Sequence, residues 1–288
     1  MKTVYVILAG FLFTTSTHAQ YIDIPYNTDP ILPSKRIVAN LIATEKEYAV
    51  VFGNKGVKDS VLIWTKQYAY SPAHQLVSWE LKTEGSKTKI SRKYYYDQYN
   101  TLVKYVDITS KSDLTGGKKD SLIYQLQYDT LGNTRFIFRY SKDTTNLQTT
   151  QLMYNSKKQL ISTMHKLTDD DYLTDKAMIY NENGDLSGLY YMDVNGSEIA
   201  SYSFDYDYPA KKRMVFKAGK KLYEVYTYNV NKDCIKKEHF NDVAYADIKN
   251  AVPLETTKYY YDDNGLLGNE VTYVGGTLTS FIKHIYSK

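Results

Sequence analysis

The sequence is poor in the residues that most often carry disulfide, zinc and nucleic-acid chemistry. Its one cysteine, Cys234, has no second thiol with which to form an internal disulfide or a zinc knuckle. Only five of its 36 basic residues are arginine, the side chain best suited to bidentate hydrogen bonds with phosphates and base edges. The formal net charge of +4 is small. We therefore expect no nucleic-acid partner, and a fold stabilised by its core rather than by covalent links.

Long apolar runs are missing after the first nineteen residues. No later segment reaches the roughly 18 apolar residues of a membrane-spanning helix, so none is expected after signal removal. Residues 1–19 combine Lys2, an apolar stretch over 4–13 and a small-residue cleavage site ending at Ala19, the pattern of a secretory signal peptide. Cys234 lies far from that site. The sequence thus predicts an exported protein, periplasmic or extracellular at the cell surface, and not a lipoprotein.

Sequence motifs for nucleotide binding and nucleophilic catalysis are absent as well. There is no Walker loop, no dinucleotide-binding glycine fingerprint and no nucleophile elbow. The histidines after the signal peptide stand far apart without metal-binding spacing, and each is interpreted as a surface or strand residue. They are His74, His165, His239 and His284. The sequence therefore predicts no catalytic residue, no cofactor and no metal site.

Tyrosine is the residue in clear excess, with 31 copies beside 9 phenylalanines and 2 tryptophans. Tyrosine suits a pleated surface that is buried on one side and wet on the other. Eight tyrosines form a ladder in which seven are followed directly by Asp or Asn, and four of the seven gaps measure 26 residues. These anchors are Tyr70, Tyr96, Tyr128, Tyr154, Tyr180, Tyr206, Tyr228 and Tyr261. Such a period indicates an internal repeat.

The residues around each anchor predict a strand, a turn and a second strand. The position two residues before each anchor is apolar or aromatic in all eight copies, so that both side chains share one strand face. Asp, Asn or Ser then opens a type I turn, and in several copies a residue that tolerates positive φ follows three positions later. These residues are Asn100, Gly132, Gly184 and Gly265. Each block is therefore predicted to be a β-hairpin.

The order aromatic pair, Asp or Asn, Gly and Leu, as in 259–267 (YYYDDNGLL), resembles the tyrosine–aspartate repeats of YD-type and Rhs-type proteins. It is similar also to small exported repeat proteins of Bacteroidetes, a family of undefined function. The resemblance covers roughly residues 66–286 and implies a repeated β fold rather than an activity. In Rhs proteins such repeats coil into a shell around a C-terminal toxin. This chain ends in repeat-like sequence, so no toxin cocoon is expected.

The predicted fold class is all-β, with tandem antiparallel β-hairpin repeats of about 26 residues forming one long, twisted and curling sheet. Three regions are expected: the signal peptide 1–19, an N-terminal lead-in and cap over 20–66, and the repeat domain 67–288. Two insertions, 109–121 and 241–257, interrupt the repeat and are potential functional loops. A transmembrane barrel is the less favoured alternative, because charged residues occur on both faces of strands such as 235–239.

Aromatic residues outside the ladder are the candidates for ligand binding. The anchors are expected to form the core, which leaves Tyr95, Tyr191 and Tyr260 as rings free to stack on a ligand. Asp205 and Asp207 form an acidic pair of the kind that glycoside hydrolysis uses, although a half-wet strand has the same pattern.

These observations predict an exported, non-catalytic binding or scaffold protein that acts on a glycan or protein partner at the periplasm or cell surface. Two alternatives stay open: a carbohydrate-active hydrolase and a self-associating structural repeat protein. The ligand and the oligomeric state do not follow from the sequence.

Overall fold

The computed structural model describes residues 35–53, 56–111, 119–142, 145–167, 171–217 and 220–288. The predicted signal peptide 1–19, the lead-in up to residue 34 and the middle of the first insertion, 112–118, lie outside these residues. None of the helices in the described ranges combines the length and the hydropathy that crossing a bilayer requires.

The described residues form one short α-helix, eighteen β-strands and one 3-10 helix. In chain order they are α1 (Lys35–Ala39), β1 (Thr44–Gly53), β2 (Gly56–Tyr70), β3 (Leu76–Thr83), β4 (Thr88–Tyr96), β5 (Leu102–Lys111), β6 (Lys119–Tyr128), β7 (Thr134–Tyr140), β8 (Asn146–Tyr154), β9 (Leu160–Lys166), β10 (Tyr172–Tyr180), β11 (Leu186–Met192), β12 (Glu198–Asp207), β13 (Lys212–Lys217), β14 (Lys221–Tyr228), β15 (Cys234–Ala244), the 3-10 helix Tyr245–Asn250, β16 (Glu255–Tyr261), β17 (Leu267–Val274) and β18 (Thr277–Ser287).

The strands close into an antiparallel barrel. Each strand pairs with the next one in the chain. β1 also pairs with β18, from Thr44 opposite Ser287 to Ala49 opposite Ile282. The predicted single long, open sheet is therefore wrong. Twist accumulates from strand to strand, and pairing the two outermost strands satisfies backbone groups that an open sheet would leave at its edges.

This closure also corrects the description of the chain as an array of YD-type β-hairpin repeats. In an array, each hairpin would stack on its neighbours along an open axis. Here β1 and most of β2 fall in the predicted cap region 20–66, and both are wall strands that bring the first hairpin against the last. The family resemblance remains a prediction, whereas the architecture is a barrel.

The anchor tyrosines lie at one end of the barrel, which we call the tyrosine rim. Seven of the eight are the last residue of an even-numbered strand, and Tyr206 precedes the last residue of β12. At six of the turns that follow, the Asp or Asn side chain accepts hydrogen bonds from backbone N–H groups two or four residues ahead, as Asp97 does from Tyr99 and Thr101. The predicted positive φ is present at Asn100, Gly132, Gly184 and Gly265.

Tyrosine hydroxyls tie neighbouring strands together at this rim. The Tyr180 hydroxyl donates to the carbonyl of Leu160 at 2.8 Å, and the Tyr206 hydroxyl donates to the carbonyl of Leu186 at the same distance. Tyr96, Tyr128 and Tyr261 make the equivalent bond to the first residue of the preceding strand. Each of these anchors thus fixes the end of one strand to the start of its neighbour.

Removing one such hydroxyl tests this tie. Tyr180→Phe is expected to lower the free energy of unfolding by about 1 kcal/mol, because the Leu160 carbonyl loses its donor in a partly buried place. Tyr260→Phe, on an exposed ring, is the matched control and should stay within about 0.5 kcal/mol of the parent protein. Urea unfolding measures both, and equal losses would show that the rim bonds add no stability.

The two faces of the wall differ in burial. On β4, Arg92 and Tyr94 are buried while the alternate residues Lys93 and Tyr95 are exposed. Directly opposite residues on neighbouring strands share a face, so the strand register identifies which residues of every other strand lie on the buried face. The buried face holds two hydrophobic clusters, one on β2–β6 with α1 and one on β10–β15, and we assign it to the interior.

The barrel is wide enough to have a lumen. Eight strands give an interior that side chains just fill, and the diameter grows roughly in proportion to the number of strands. A wall of 18 strands therefore leaves open space between its opposite sides.

The helix α1 lies at the tyrosine rim and links distant turns. Ile37 is fully buried against the interior cluster of β2–β6. Arg36 donates from Nη1 to the carbonyl of Gly265 at 2.5 Å and pairs through Nη2 with Asp233 Oδ1 at 2.6 Å. One arginine thus joins the helix before β1 to the β14–β15 and β16–β17 turns.

Two glycines of the same turn type separate the contribution of this contact from backbone strain. Gly265 and Gly132 have φ of +71° and +80°, but a Cβ at Gly265 would lie 2.6 Å from Arg36 Nη1, whereas a Cβ at Gly132 meets nothing within 4 Å. Gly265→Ala is therefore expected to cost about 1 kcal/mol more than Gly132→Ala, since both carry the positive-φ strain of roughly 1–2 kcal/mol. Urea unfolding of both variants gives the difference. Equal losses of unfolding free energy would mean that the Arg36 side chain moves aside from the added methyl group without a cost in stability.

Candidate functional site

A chain of hydrogen-bonding side chains lies on the interior face of β7–β10, and His165 on β9 is at its centre. The Gln148 Nε2 and Thr150 Oγ1 atoms lie 3.0 and 3.2 Å from His165 Nδ1. His165 Nε2 lies 3.6 Å from Asp175 Oδ2. The His165 and Asp175 side chains keep 36% and 32% of their surface exposed, so this group is positioned by its neighbours and still open to the lumen.

The register places these residues on one face. Ile137, which packs on the interior cluster, is opposite Thr150, and Thr150 is opposite His165. A register shift in β10 between Thr174 and Lys176 marks a β-bulge at Asp175. Bulges redirect side chains, and here Thr163 Oγ1 donates to Asp175 Oδ2 at 3.3 Å. Asp175 and Lys176 thus both reach the interior face.

Arg139 extends the chain toward β7. Its Nη1 donates to Gln148 Oε1 at 3.3 Å. Its Nε is buried and has no hydrogen-bond partner within the described ranges. A buried donor without an acceptor costs stability.

Tyr191 on β11 supplies the aromatic part of the site. Lys176, directly opposite, places Nζ 5.3 Å from the centre of the Tyr191 ring. Tyr202 on β12 meets the same ring edge-on, with the ring centres 6.3 Å apart. Burial raises the pKa of Tyr191, so its hydroxyl is neutral near neutral pH. We call the set Arg139, Gln148, His165, Asp175, Lys176 and Tyr191 the lumen patch.

The structure separates the three tyrosines predicted as ligand contacts. Tyr191 belongs to the lumen patch, whereas Tyr95 on β4 and Tyr260 on β16 point to the outer face and are 41% and 49% exposed. The Lys104 ammonium lies 4.3 Å from the centre of the Tyr95 ring. The three rings lie on different strands and form no common surface.

Sequence reasoning did not identify most of the patch. His165 was interpreted as a surface or strand histidine, and Asp175 was not linked to it. The paired acids Asp205 and Asp207 are exposed residues at the end of β12, and Asp207 accepts a hydrogen bond from the backbone N–H of Ala210 in the following turn. Among the residues that the structure describes, no three His, Cys, Asp or Glu side chains form a group suited to a metal ion.

No protein-family model matches the chain, and no curated protein matches it in sequence. The structure is similar to that of a porin-like protein from Bacteroides uniformis ATCC 8492, with 10% sequence identity, a TM-score of 0.41, and coverage of 85% of this chain and 98% of that one. It is similar also to a porin-like protein from Bacteroides vulgatus ATCC 8482, with 7% identity, a TM-score of 0.25 and the same coverage.

Proposed function

We propose that the protein is an exported, non-catalytic barrel that binds a hydroxyl-rich solute of the glycan class in its lumen. One observation carries this proposal: a partly exposed chain of amide, imidazole and carboxylate groups lies beside an aromatic ring on the inner wall of a wide barrel. Ligand sites combine such an apolar surface with a few positioned polar groups.

The chemistry of the patch suits a sugar ring. A pyranose has an apolar C–H face that stacks on an aromatic ring and an equatorial rim of hydroxyls that both donate and accept. Tyr191 supplies the ring, and Gln148, His165 and Asp175 supply donors and acceptors within one row of neighbouring side chains. Because these groups hold one another in place, little side-chain entropy is lost when a ligand binds.

The same geometry favours binding over hydrolysis. Glycoside hydrolysis uses two carboxyl groups that flank the scissile bond, and the lumen patch has one, Asp175. Thr150, His165 and Asp175 follow the order hydroxyl, imidazole, carboxylate, but Gln148 also contacts the His165 nitrogen that a nucleophile would need.

Passage of small polar solutes along the lumen is a second candidate function, favoured by the width of a closed 18-strand wall. It would require a lipid-facing outer surface. Lys93 and Lys258 are exposed on that surface, and a lysine costs roughly 2–4 kcal/mol at the bilayer midplane. The outer face therefore favours binding over passage, and single-channel conductance with purified protein in planar bilayers decides between them.

Calorimetric titration of the purified protein with a panel of neutral and uronate-containing oligosaccharides tests the proposal. We expect at least one to bind, and His165→Ala and Tyr191→Ala to weaken its binding at least about tenfold, or roughly 1.4 kcal/mol. His74→Ala, in an exposed turn, and Tyr260→Ala, on the outer face, are matched controls and should change the affinity less than about twofold. Absence of binding across the panel, or equal weakening by the controls, contradicts the proposal.

A further inference from the structure

A group of three glutamates around one buried imidazole lies on the interior face where the barrel closes. His284 on β18 has Nε2 at 3.0 Å from Glu270 Oε1 on β17. Its Nδ1 lies 3.8 Å from Glu45 Oε1 and 3.9 Å from Glu47 Oε2, both on β1. The His284 side chain is fully buried and that of Glu45 is 3% exposed. We call these four residues the seam cluster.

β2 adds one positive charge near the cluster. Trp64 is directly opposite Glu47. The Tyr68 hydroxyl donates to Glu45 Oε2 at 2.7 Å. Lys66 lies between the two on the same face, with Nζ over the Tyr68 ring at 5.5 Å from its centre.

The other packed strands add neutral phenols. Tyr286 on β18 is opposite Glu45, and Tyr259 on β16 is opposite Glu270. Burial raises the pKa of both tyrosines, so neither ionises near neutral pH. Full ionisation therefore sets three carboxylates against one imidazolium and the Lys66 ammonium opposite Glu45, which leaves a net negative charge in a site with little water.

The cluster consequently retains protons. Burial raises the pKa of Glu47 to about 7, and the charge of Glu270 adds to this while His284 opposes it. Burial lowers the pKa of His284, but the hydrogen bond that its ring donates to Glu270 and the three carboxylate charges together raise it above its ordinary value. Both groups hold a proton more tightly in the folded wall than in an unfolded chain. The contribution of Glu47 to stability is therefore present in acid and is lost as pH rises through about 7, and that of His284 is lost as pH rises through its own raised pKa.

Because the cluster lies between β1 and β18, proton loss weakens the contact between these two strands in particular. β1 and β18 pair through six opposed residues, yet they lie at opposite ends of the chain and no hairpin connects them. Every other neighbouring pair is consecutive in the chain. No short loop holds β1 next to β18, so the barrel wall can open by separation of these two strands. Besides the strand pairing, the Arg36 contacts with Gly265 and Asp233 cross this junction between β1 and β18, which we call the seam.

We propose that the β1–β18 seam is a proton-dependent lateral gate, which is closed while the seam cluster holds its protons and is released when the cluster loses them. Opening would expose the lumen along the barrel wall rather than through its ends. The gate is a property of the wall, and it does not require a lumen ligand.

Native-state hydrogen exchange of the full protein between pH 5.5 and 8.5, corrected for intrinsic exchange, tests the gate strand by strand. Protection of β1 and β18 is expected to fall at least tenfold relative to β5 and β6 between pH 6 and 8. Glu47→Gln, which keeps the shape of the protonated acid, should remove most of that fall. Glu198→Gln, an exposed acid on β12, should behave as the parent protein.

A covalent lock gives a second, independent test. Lys46→Cys and Ile285→Cys, at directly opposed positions, in a Cys234→Ala background should form a disulfide that makes β1 and β18 protection independent of pH. Equal protection of the seam and of β5–β6 at every pH overturns the gate. So does simultaneous loss of protection in all strands, or an unchanged pH dependence in Glu47→Gln.

Discussion

Arg92→Ala is expected to lower the free energy of unfolding by about 3 kcal/mol, because it leaves a wall carboxylate without its partner. Arg92 is 4% exposed and forms a bidentate pair with Asp107, in which Nε lies 2.5 Å from Oδ1 and Nη2 lies 2.9 Å from Oδ2. Its guanidinium carbon also lies 4.6 Å from the centre of the Tyr105 ring. Breaking a buried pair costs roughly 3–5 kcal/mol, and the partial exposure of Asp107 favours the lower end.

A double variant separates the lost charge from the lost packing. Arg92→Met combined with Asp107→Leu removes both charges together, and it should recover to within about 1 kcal/mol of the parent protein. Arg135→Ala removes an exposed arginine of β7 and should cost less than about 0.5 kcal/mol. A loss below 1 kcal/mol for Arg92→Ala in urea unfolding would show that Asp107 is adequately solvated without its partner.

Phe216→Ala is expected to cost about 3–5 kcal/mol, the range for a fully buried phenylalanine. Phe216 follows the interior residue Val215 on β13, so its side chain is on the outer face, yet only 1% of it is exposed. Ile248 of the 3-10 helix and Ala251 after it pack on its cluster. Part of the insertion 241–257 therefore covers the outside of the wall and has a structural role.

Phe138→Ala is the matched control for this cover. Phe138 is on the outer face of β7 beside Phe136 and Tyr140, and it is partly exposed. We expect it to lose less than half as much stability as Phe216→Ala, because less apolar surface returns to water. Equal losses in chemical denaturation would contradict the covering role of the insertion.

The local structure at the tyrosine rim was accessible from the sequence, because it depends on contacts within five residues. Asp129 accepts hydrogen bonds from the N–H groups of Leu131 and Asn133, and Gly132 between them has positive φ. Nothing beyond this segment is needed for the turn, so the residue types are informative on their own.

Closure of the barrel was not accessible in this way. It rests on pairs such as Thr44 with Ser287, which are separated by almost the whole chain. A repeating hairpin pattern has the same local signals in an open sheet as in a barrel. The number of strands and their accumulated twist decide whether the two ends meet, and neither is expressed in any one repeat.

The candidate site was accessible in part. Tyr191 was identified as a ring outside the ladder, and it faces the lumen. Tyr95 has the same sequence character, but it lies between Tyr94 and Tyr96 and so alternates to the outer face. Asp175 joins His165 through a β-bulge, and the one-residue shift of a bulge leaves no clear mark in the sequence.

The distance between β1 and β18 in solution tests the closed lumen most directly. Spin labels at Tyr48→Cys and Lys283→Cys, which are directly opposed, in a Cys234→Ala background give this distance by pulsed electron resonance at pH 6. The closed barrel predicts one narrow distribution below about 20 Å, because paired strands lie only ~4.8 Å apart. An open sheet of the same 18 strands would separate its edges by roughly 80 Å, and a distribution at long distance would contradict the barrel and the lumen site with it.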